Sequence, residues 1–294
     1  MCRSIGALDV DRLANDGQSL CMNGQKLRSE NLAEDLERAA LVTMVDPAHR
    51  PLAGAIPQDD YDLDTPWHVH DMHQLQYAFS GVVEVEDQHA SYLLPRALAA
   101  WIPAGVVHRT SLHRVRSGSV LFSPAMFSDA GDRVRIIQVS PLMREMVLGA
   151  MRWPLTVEQD STGQAYFAAL AMLCAEWIQE EAPLRLPLTR DPKLQAAAAY
   201  TRTNHVHGTV ADVCKAVGIS ERTLRRRFRS GLGMSWEDYR RRARLLKAAA
   251  LLSEGRMPIG NVAAEVGFES QSAFSRAFKE LTGRSPRDFK TSIA

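Results

Sequence analysis

The chain has 294 residues, 46% of them hydrophobic and 23% charged, which excludes general disorder and gives enough length for two domains with cores of their own. Its formal net charge of +1 hides a division: from Arg190 onward there are 20 Lys plus Arg against 10 Asp plus Glu, and before it 15 against 24. A basic C-terminal third on an acidic body predicts a polyanionic partner held at one end.

No apolar run approaches the roughly 18 residues of a membrane span. The opening "MCRSIGALDVDRL" lacks an apolar block followed by a small-residue cleavage site, so the sequence reads as cytoplasmic, with no membrane partner. Cys2, Cys21, Cys174 and Cys214 show no CxxC spacing, which argues against a disulfide framework or a cysteine zinc site. Cys174 and Cys214 fall in helical patterns as small buried apolar residues.

Residues 1–40 read as an N-terminal extension, in which "SENLAEDLERAALV", capped by Ser29, has helical character. From 41 to 137 short β-prone runs, "LQYAFSGVVEVED", "SYLLP", "AAWIPAG" and "SVLFSP", alternate with turn residues in the manner of a barrel or sandwich. On a continuous strand His68, His70, Gln74 and Gln76 share one face by the period of two, while His73 points the other way unless a bulge intervenes. His73, His89 and His113 are assigned to surface or loop.

The stretch from "HVH" at 68 to "PAGVVH" ending at 108 resembles the paired motifs of the cupin β-barrel, in which H-x-H with an acid four positions on, and a later P-x-G-x-x-H, place metal ligands inside the barrel. The resemblance implies that His68, His70 and His108 fill three ligand positions, that Pro103 and Gly105 form the turn before His108, and that Gln74 stands where the family has glutamate. Three imidazoles suit zinc, nickel, copper or ferrous iron, whereas neutral ligands leave a divalent charge uncompensated and a Gln amide binds more weakly than a carboxylate. Two occupants stay open for the His68, His70, Gln74 and His108 site: a divalent transition metal, or an organic effector hydrogen-bonded within a polar pocket.

Beyond Val139 the period turns helical. "PLMREMVLGAMRW" opens on Pro141, and "TGQAYFAALAMLCAEWIQEE" lines Phe167, Leu170, Leu173, Cys174 and Trp177 along one broad face. Residues 138–189 read as a helical dimerisation and linker region, with "APLRLPLTRD" and its two prolines as the linker.

The last segment, 190–294, carries a helical pattern twice. In the first copy Val210, Val213, Val217, Ile219, Leu224 and Phe228 are spaced to pack two short helices across a turn at Gly218, with Ser220 capping the second: a helix-turn-helix. Ile259, Val262, Val266, Gly267 and Phe268 repeat that order at an offset of 49, and Phe274, Phe278, Gly283 and Ser285 at 50, so the second turn has one residue inserted. Between the copies "SWEDYRRRARLLKAAALLSEG" reads as one helix from Ser235 to Gly255.

With "LRRRF", "RRRARLLKAAALL", "VAAEVGFESQSAFSRAFK" and "GRSPRDF", roughly residues 190 to 290 resemble the AraC family of bacterial transcription regulators. The resemblance implies a seven-helix DNA-binding domain whose two recognition helices enter successive major grooves. By position its base readers are Arg222, Arg225 and Arg226 around Leu224, and Gln271, Ser272, Ser275 and Arg276 around Phe274. Their chemistry agrees: Arg pairs with guanine O6 and N7, Gln with adenine N6 and N7, and Ser with either base. Arg227 and Arg229 are read as phosphate contacts or solvated charge, and Arg240, Arg241, Arg242 and Arg244 cannot all face one partner.

The expected fold is α+β and multidomain: a cupin-like β-barrel, a helical region, and an all-α double helix-turn-helix. The expected function is a one-component transcription regulator without enzymatic activity. Its partners are promoter DNA, a small-molecule or metal effector, a second copy of the chain and, for an activator, RNA polymerase. The alternatives are a cupin-type metalloenzyme fused to a DNA-binding domain, and a barrel that only dimerises.

Overall fold

A computed structural model describes residues 39–42, 51–182 and 184–291 of the protein. The Ser29 cap and most of the extension lie outside the described residues. The tail of the helix expected there is instead strand β1 (Ala40–Val42), which pairs in parallel with β3 (His68–His70). Apolar and alternating runs form β2 (Ala53–Asp64), β4 (His73–Ser80), β5 (Val82–Asp87), β6 (Ala90–Pro95), β7 (Leu98–Ile102), β8 (His108–Phe122) and β9 (Arg135–Gln138).

Strand β8 organises the sheet. Its first part pairs with β5 and its second with β4, both antiparallel, while β2 also runs antiparallel to it. With β10 (Leu186–Pro187) the order is β10-β6-β5-β8-β4-β7-β9. Its two ends do not pair among the described residues, so the hydrogen bonding is that of an open sheet rather than a closed barrel.

Leu75, Tyr77, Trp101, Val120 and Phe122 are buried against helices α1 (Pro141–Ala150) and α2 (Ser161–Trp177), which supply Val147, Phe167, Leu170 and Cys174 to the same core. The α2 face expected to pair subunits is therefore packed inside the subunit, with Leu173 and Trp177 half-buried at its margin. The expected linker is structured as well: Leu184 and Leu186 are buried and β10 pairs with β6, because apolar residues between the two prolines fit an open sheet edge.

Seven helices follow: α3 (Pro192–Thr203), α4 (Val210–Val217), α5 (Glu221–Leu232), α6 (Trp236–Glu254), α7 (Ile259–Glu265), α8 (Gln271–Thr282) and α9 (Pro286–Thr291). Helix α6 is the connecting bar, capped by Ser235 and ended by Gly255 at φ 72°. It packs on β6 and β10, so that Val85, Tyr92 and Leu94 share one apolar cluster with Leu194, Leu245 and Ala249. The Gln138 side-chain amide donates to the Thr282 carbonyl at 2.7 Å across the same junction. Among the described residues no helix is long and apolar enough to cross a membrane.

Candidate functional site

The two helical copies have the geometry their sequence repeat predicts. Gly218 ends α4 at φ 67° and Gly267 follows α7 at φ 77°, a region in which a Cβ is strained. Ser220 then accepts from the Thr223 N–H to open α5, and Ser270 from the Ala273 N–H to open α8, each cap stabilising its helix by about 1 kcal/mol. The first turn reaches its cap two residues after glycine and the second three, which is the inserted residue.

Leu224 and Phe228 of α5, and Phe274 and Phe278 of α8, are fully buried, and this turns the residues between them outward. Arg222, Arg225 and Arg226 are exposed on α5; Gln271, Ser272 and Arg276 are exposed on α8, with Ser275 half-buried. Arg225, Arg226 and Arg229 line a cleft of about 340 Å³ with Ser235, Trp236 and Glu237 at the start of α6. Within it the Arg225 guanidinium is held between Glu221, at 2.9 Å, and Glu237.

Three other arginines are engaged within the protein, and Arg240 and Arg244 turn inward while Arg241 is exposed, so the arginines of α6 do not all face one partner. Arg227 is half-buried and paired: it donates to both carboxylate oxygens of Asp191, at 2.8 and 2.6 Å, and Asp191 also caps α3. Arg240 donates to the His205 and Val206 carbonyls at 2.9 and 2.5 Å, ahead of α4. Arg244 donates to the Val266 and Gly267 carbonyls in the second turn and lies 4.5 Å from the Phe268 ring centre. A Cβ at Gly267 would stand 3.0 Å from that guanidinium. Arg240 and Arg244, one turn apart on α6, thus fasten the loop ahead of α4 and the turn after α7 to one helix, with Val206 beside Gly267. The signal available in the sequence was their i, i+4 spacing, which puts both on one side of the bar.

In the N-terminal domain the β3–β8 register sets His68 opposite His108. Pro103 to Val106 form a turn, closed by a 3.2 Å bond from the Val106 N–H to the Pro103 carbonyl, with Gly105 at φ 83°. The Gly105 N–H donates to the His70 carbonyl at 2.9 Å and fixes the turn beneath β3. His68, His70 and His108 are thereby brought together, ring centres 4.3 to 6.0 Å apart. Each offers one ring nitrogen within 4.8 Å of the others. Burial, with His70 alongside, pushes His68 down to about 4. Burial also lowers His70, and burial with both neighbouring rings holds His108 well below the usual histidine range. All three are neutral at pH 7.

Gln74 is part of this cluster but faces it indirectly. Its Oε1 accepts from His70 Nε2 at 2.9 Å, and its amide donates to Gln76 Oε1 at 2.9 Å and Ser119 Oγ at 2.8 Å. Ser119 donates to Gln76 in turn, and Gln58 accepts from Gln76 and Ser117, giving a buried polar ladder of neutral side chains. His73 corrects the surface assignment. His73 does point away from His70, Gln74 and Gln76, as the period of two predicts, but that face carries Leu75, Tyr77 and Trp101 of the helix-covered core, so His73 is buried, stacks on Trp101 with ring centres 5.5 Å apart, and accepts from the Ala104 N–H at 2.9 Å. His89 and His113 are exposed.

Comparison with known proteins matches the two halves separately. Residues 55–197 match the model of an AraC-like ligand binding domain, and residues 213–292 that of a helix-turn-helix domain. The chain is similar to the HTH-type transcriptional regulator NimR of Escherichia coli, 25% identical over 226 residues that cover 76% of this chain and 82% of that one. It is 39% identical over 103 residues to the arabinose operon regulatory protein of Salmonella typhimurium, covering 34% of this chain and 36% of the relative. The Escherichia coli protein of the same name is 43% identical over 81 residues, 28% of each chain. The two arabinose regulators thus align with this chain over little more than a third of their length or less.

Proposed function

The chain belongs to the AraC family of DNA-binding transcription regulators, and on that premise we propose that it reads one bipartite DNA site with two chemically different helices. Arg222, Arg225 and Arg226 address one major groove, and Gln271, Ser272, Ser275 and Arg276 the next. The observation that supports this is that α5 and α8 both pack on one continuous helix, α6, to which Arg244 also ties the second turn. Two helices inserted on the same side of a duplex contact bases about 10 base pairs apart.

The N-terminal domain senses a polar small molecule at the ladder formed by His70, Gln74, Gln76, Ser117 and Ser119, and passes the signal through the β6–α6 contact. It senses and does not transform: at the position a cupin acid takes, Gln74 offers neither a proton acceptor of useful basicity nor a free group, being bonded to His70. The protein acts in the cytoplasm as a homodimer, and as an activator it contacts RNA polymerase.

The test is selection of preferred sites from random DNA by wild type, Arg222→Ala and Gln271→Ala. The expected result is relaxed preference in one half of the site for the first variant and in the other half for the second. Identical selected motifs for both variants would defeat the two-reader model.

A further inference from the structure

We propose that Gly260 is a positioning residue for DNA specificity: lacking a Cβ, it lets the Gln271 side chain lie across the start of α7 and so fixes the first base reader of α8, a role that rests on the reading of α8 as a recognition helix.

Gly260 stands in the first turn of α7 and Gln271 at the first position of α8. Glycine inside a helix is unfavourable relative to alanine, because it surrenders more backbone freedom on folding. No turn explains it here, since the positive φ angles on either side fall at Gly255 and Gly267 and not at Gly260. What Gly260 has is a neighbour. A Cβ added to it would stand 3.0 Å from Gln271 Oε1, closer than ordinary van der Waals contact, and, chain neighbours apart, no other side chain among the described residues comes within 4 Å. The carboxamide of a base reader takes the space that the missing methyl leaves.

The repeat offsets of 49 and 50 place Ala211 opposite Gly260 and Glu221 opposite Gln271 in the first unit. Ala211 keeps its Cβ and is exposed, whereas Gly260 is half-buried. Glu221 turns along its own helix instead, to the Arg225 guanidinium at 2.9 Å. Glycine thus stands in the unit whose recognition helix opens with a side chain laid on the preceding helix.

Glutamine loses rotamer freedom when it engages a base, and one already held against the protein has less to lose. Adenine recognition needs both ends of the carboxamide at N6 and N7 together, so the direction of the amide decides what it reads. In Gly260→Ala the new methyl and Oε1 compete for one place. Val262 and Ala263 anchor α7 in the core, so the exposed Gln271 side chain is the part that yields.

The experiment selects preferred sites from random DNA with the full chain as wild type, Gly260→Ala, Gln271→Ala and the double variant, and records each melting temperature. Gln271→Ala is expected to lose at least about 5-fold in preference at one base position of the half read by α8. Gly260→Ala should lose about 3-fold or more at that same position, with its melting temperature unchanged or raised, as alanine favours the helix. The double variant should select the motif of Gln271→Ala. Ala211→Gly, the reverse exchange in the first unit, should lower the melting temperature and leave the half read by α5 as it is. A second readout needs no DNA: in nitrogen relaxation spectra the Gln271 side-chain amide should be ordered in the wild type and mobile in Gly260→Ala.

A wild-type motif from Gly260→Ala, or a Gln271 amide as mobile in the wild type as in the variant, overturns the role of Gly260 alone. A loss in the double variant beyond that of Gln271→Ala also overturns it, since the glycine then acts elsewhere. A wild-type motif from Gln271→Ala sinks the reading of Gln271 as a base reader, and Gly260 as its specificity device with it.

Discussion

Arg222 and Arg227 lie on one short helix, and only the second comes within reach of the Asp191 carboxylate. Arg227→Met should therefore cost stability, about 0.5–1 kcal/mol for a partly exposed pair, and leave the selected DNA motif unchanged. Arg222→Ala should do the reverse, keeping stability and losing about 1–3 kcal/mol of preference at one base position. Urea titration and site selection on both variants check the pair of outcomes. Arg133 and Glu181 allow a similar argument in pH. The hydrogen-bonded Arg133 guanidinium holds the Glu181 carboxyl below its ordinary range, with its nitrogens 2.7 and 2.6 Å from the carboxylate oxygens. A depressed carboxyl stabilises the fold above its unfolded pKa, and the contribution disappears as pH falls through the folded value. Arg133→Gln should be less stable than wild type by about 0.5–1 kcal/mol at pH 7. The two unfolding curves should converge as pH falls below the folded value of Glu181.

Helix α6 shows how one element sets the separation of two others. Arg244→Ala removes charged donors from the Val266 and Gly267 carbonyls, a loss of about 1.5–3 kcal/mol in hydrogen bonds of this type. The effect should be confined to the second unit, so sites selected by the variant keep the half read by α5 and lose definition in the half read by α8. Lysine at 244 should not rescue, because an ammonium cannot bridge two adjacent carbonyls as a planar fork does. Insertion of about five base pairs between the half-sites turns one half to the opposite side of the duplex and should be as damaging as losing one reader. Uniform weakening across both halves in Arg244→Ala would show that the bar does not hold the units separately.

Across the whole molecule the apolar cluster runs from β5 and β6 through α3 and α6 without a break, and Gln138 ties β9 to the end of α8. Such continuity predicts one calorimetric unfolding transition for the two halves, and two resolved transitions would contradict it. A dimer is expected in sedimentation at micromolar concentration, through the outer surfaces of α1 and α2, where Leu142 and Met172 are exposed, since the inner face of α2 belongs to the core. A monomer with and without DNA would exclude it. The double helix-turn-helix was legible in the sequence because its signals are local: glycine at the turns, serine at the caps and apolar residues at helical spacing specify each unit within a few turns of chain. The charge division and the motif histidines were legible for the same reason, as residue identity and spacing alone. What paired with what was decided by tertiary structure. The packing of His73 on Trp101, the closing of Gln74 onto His70, and the Asp191 partner of Arg227, 36 residues away, depend on strand register and on packing between distant segments, which no local period encodes.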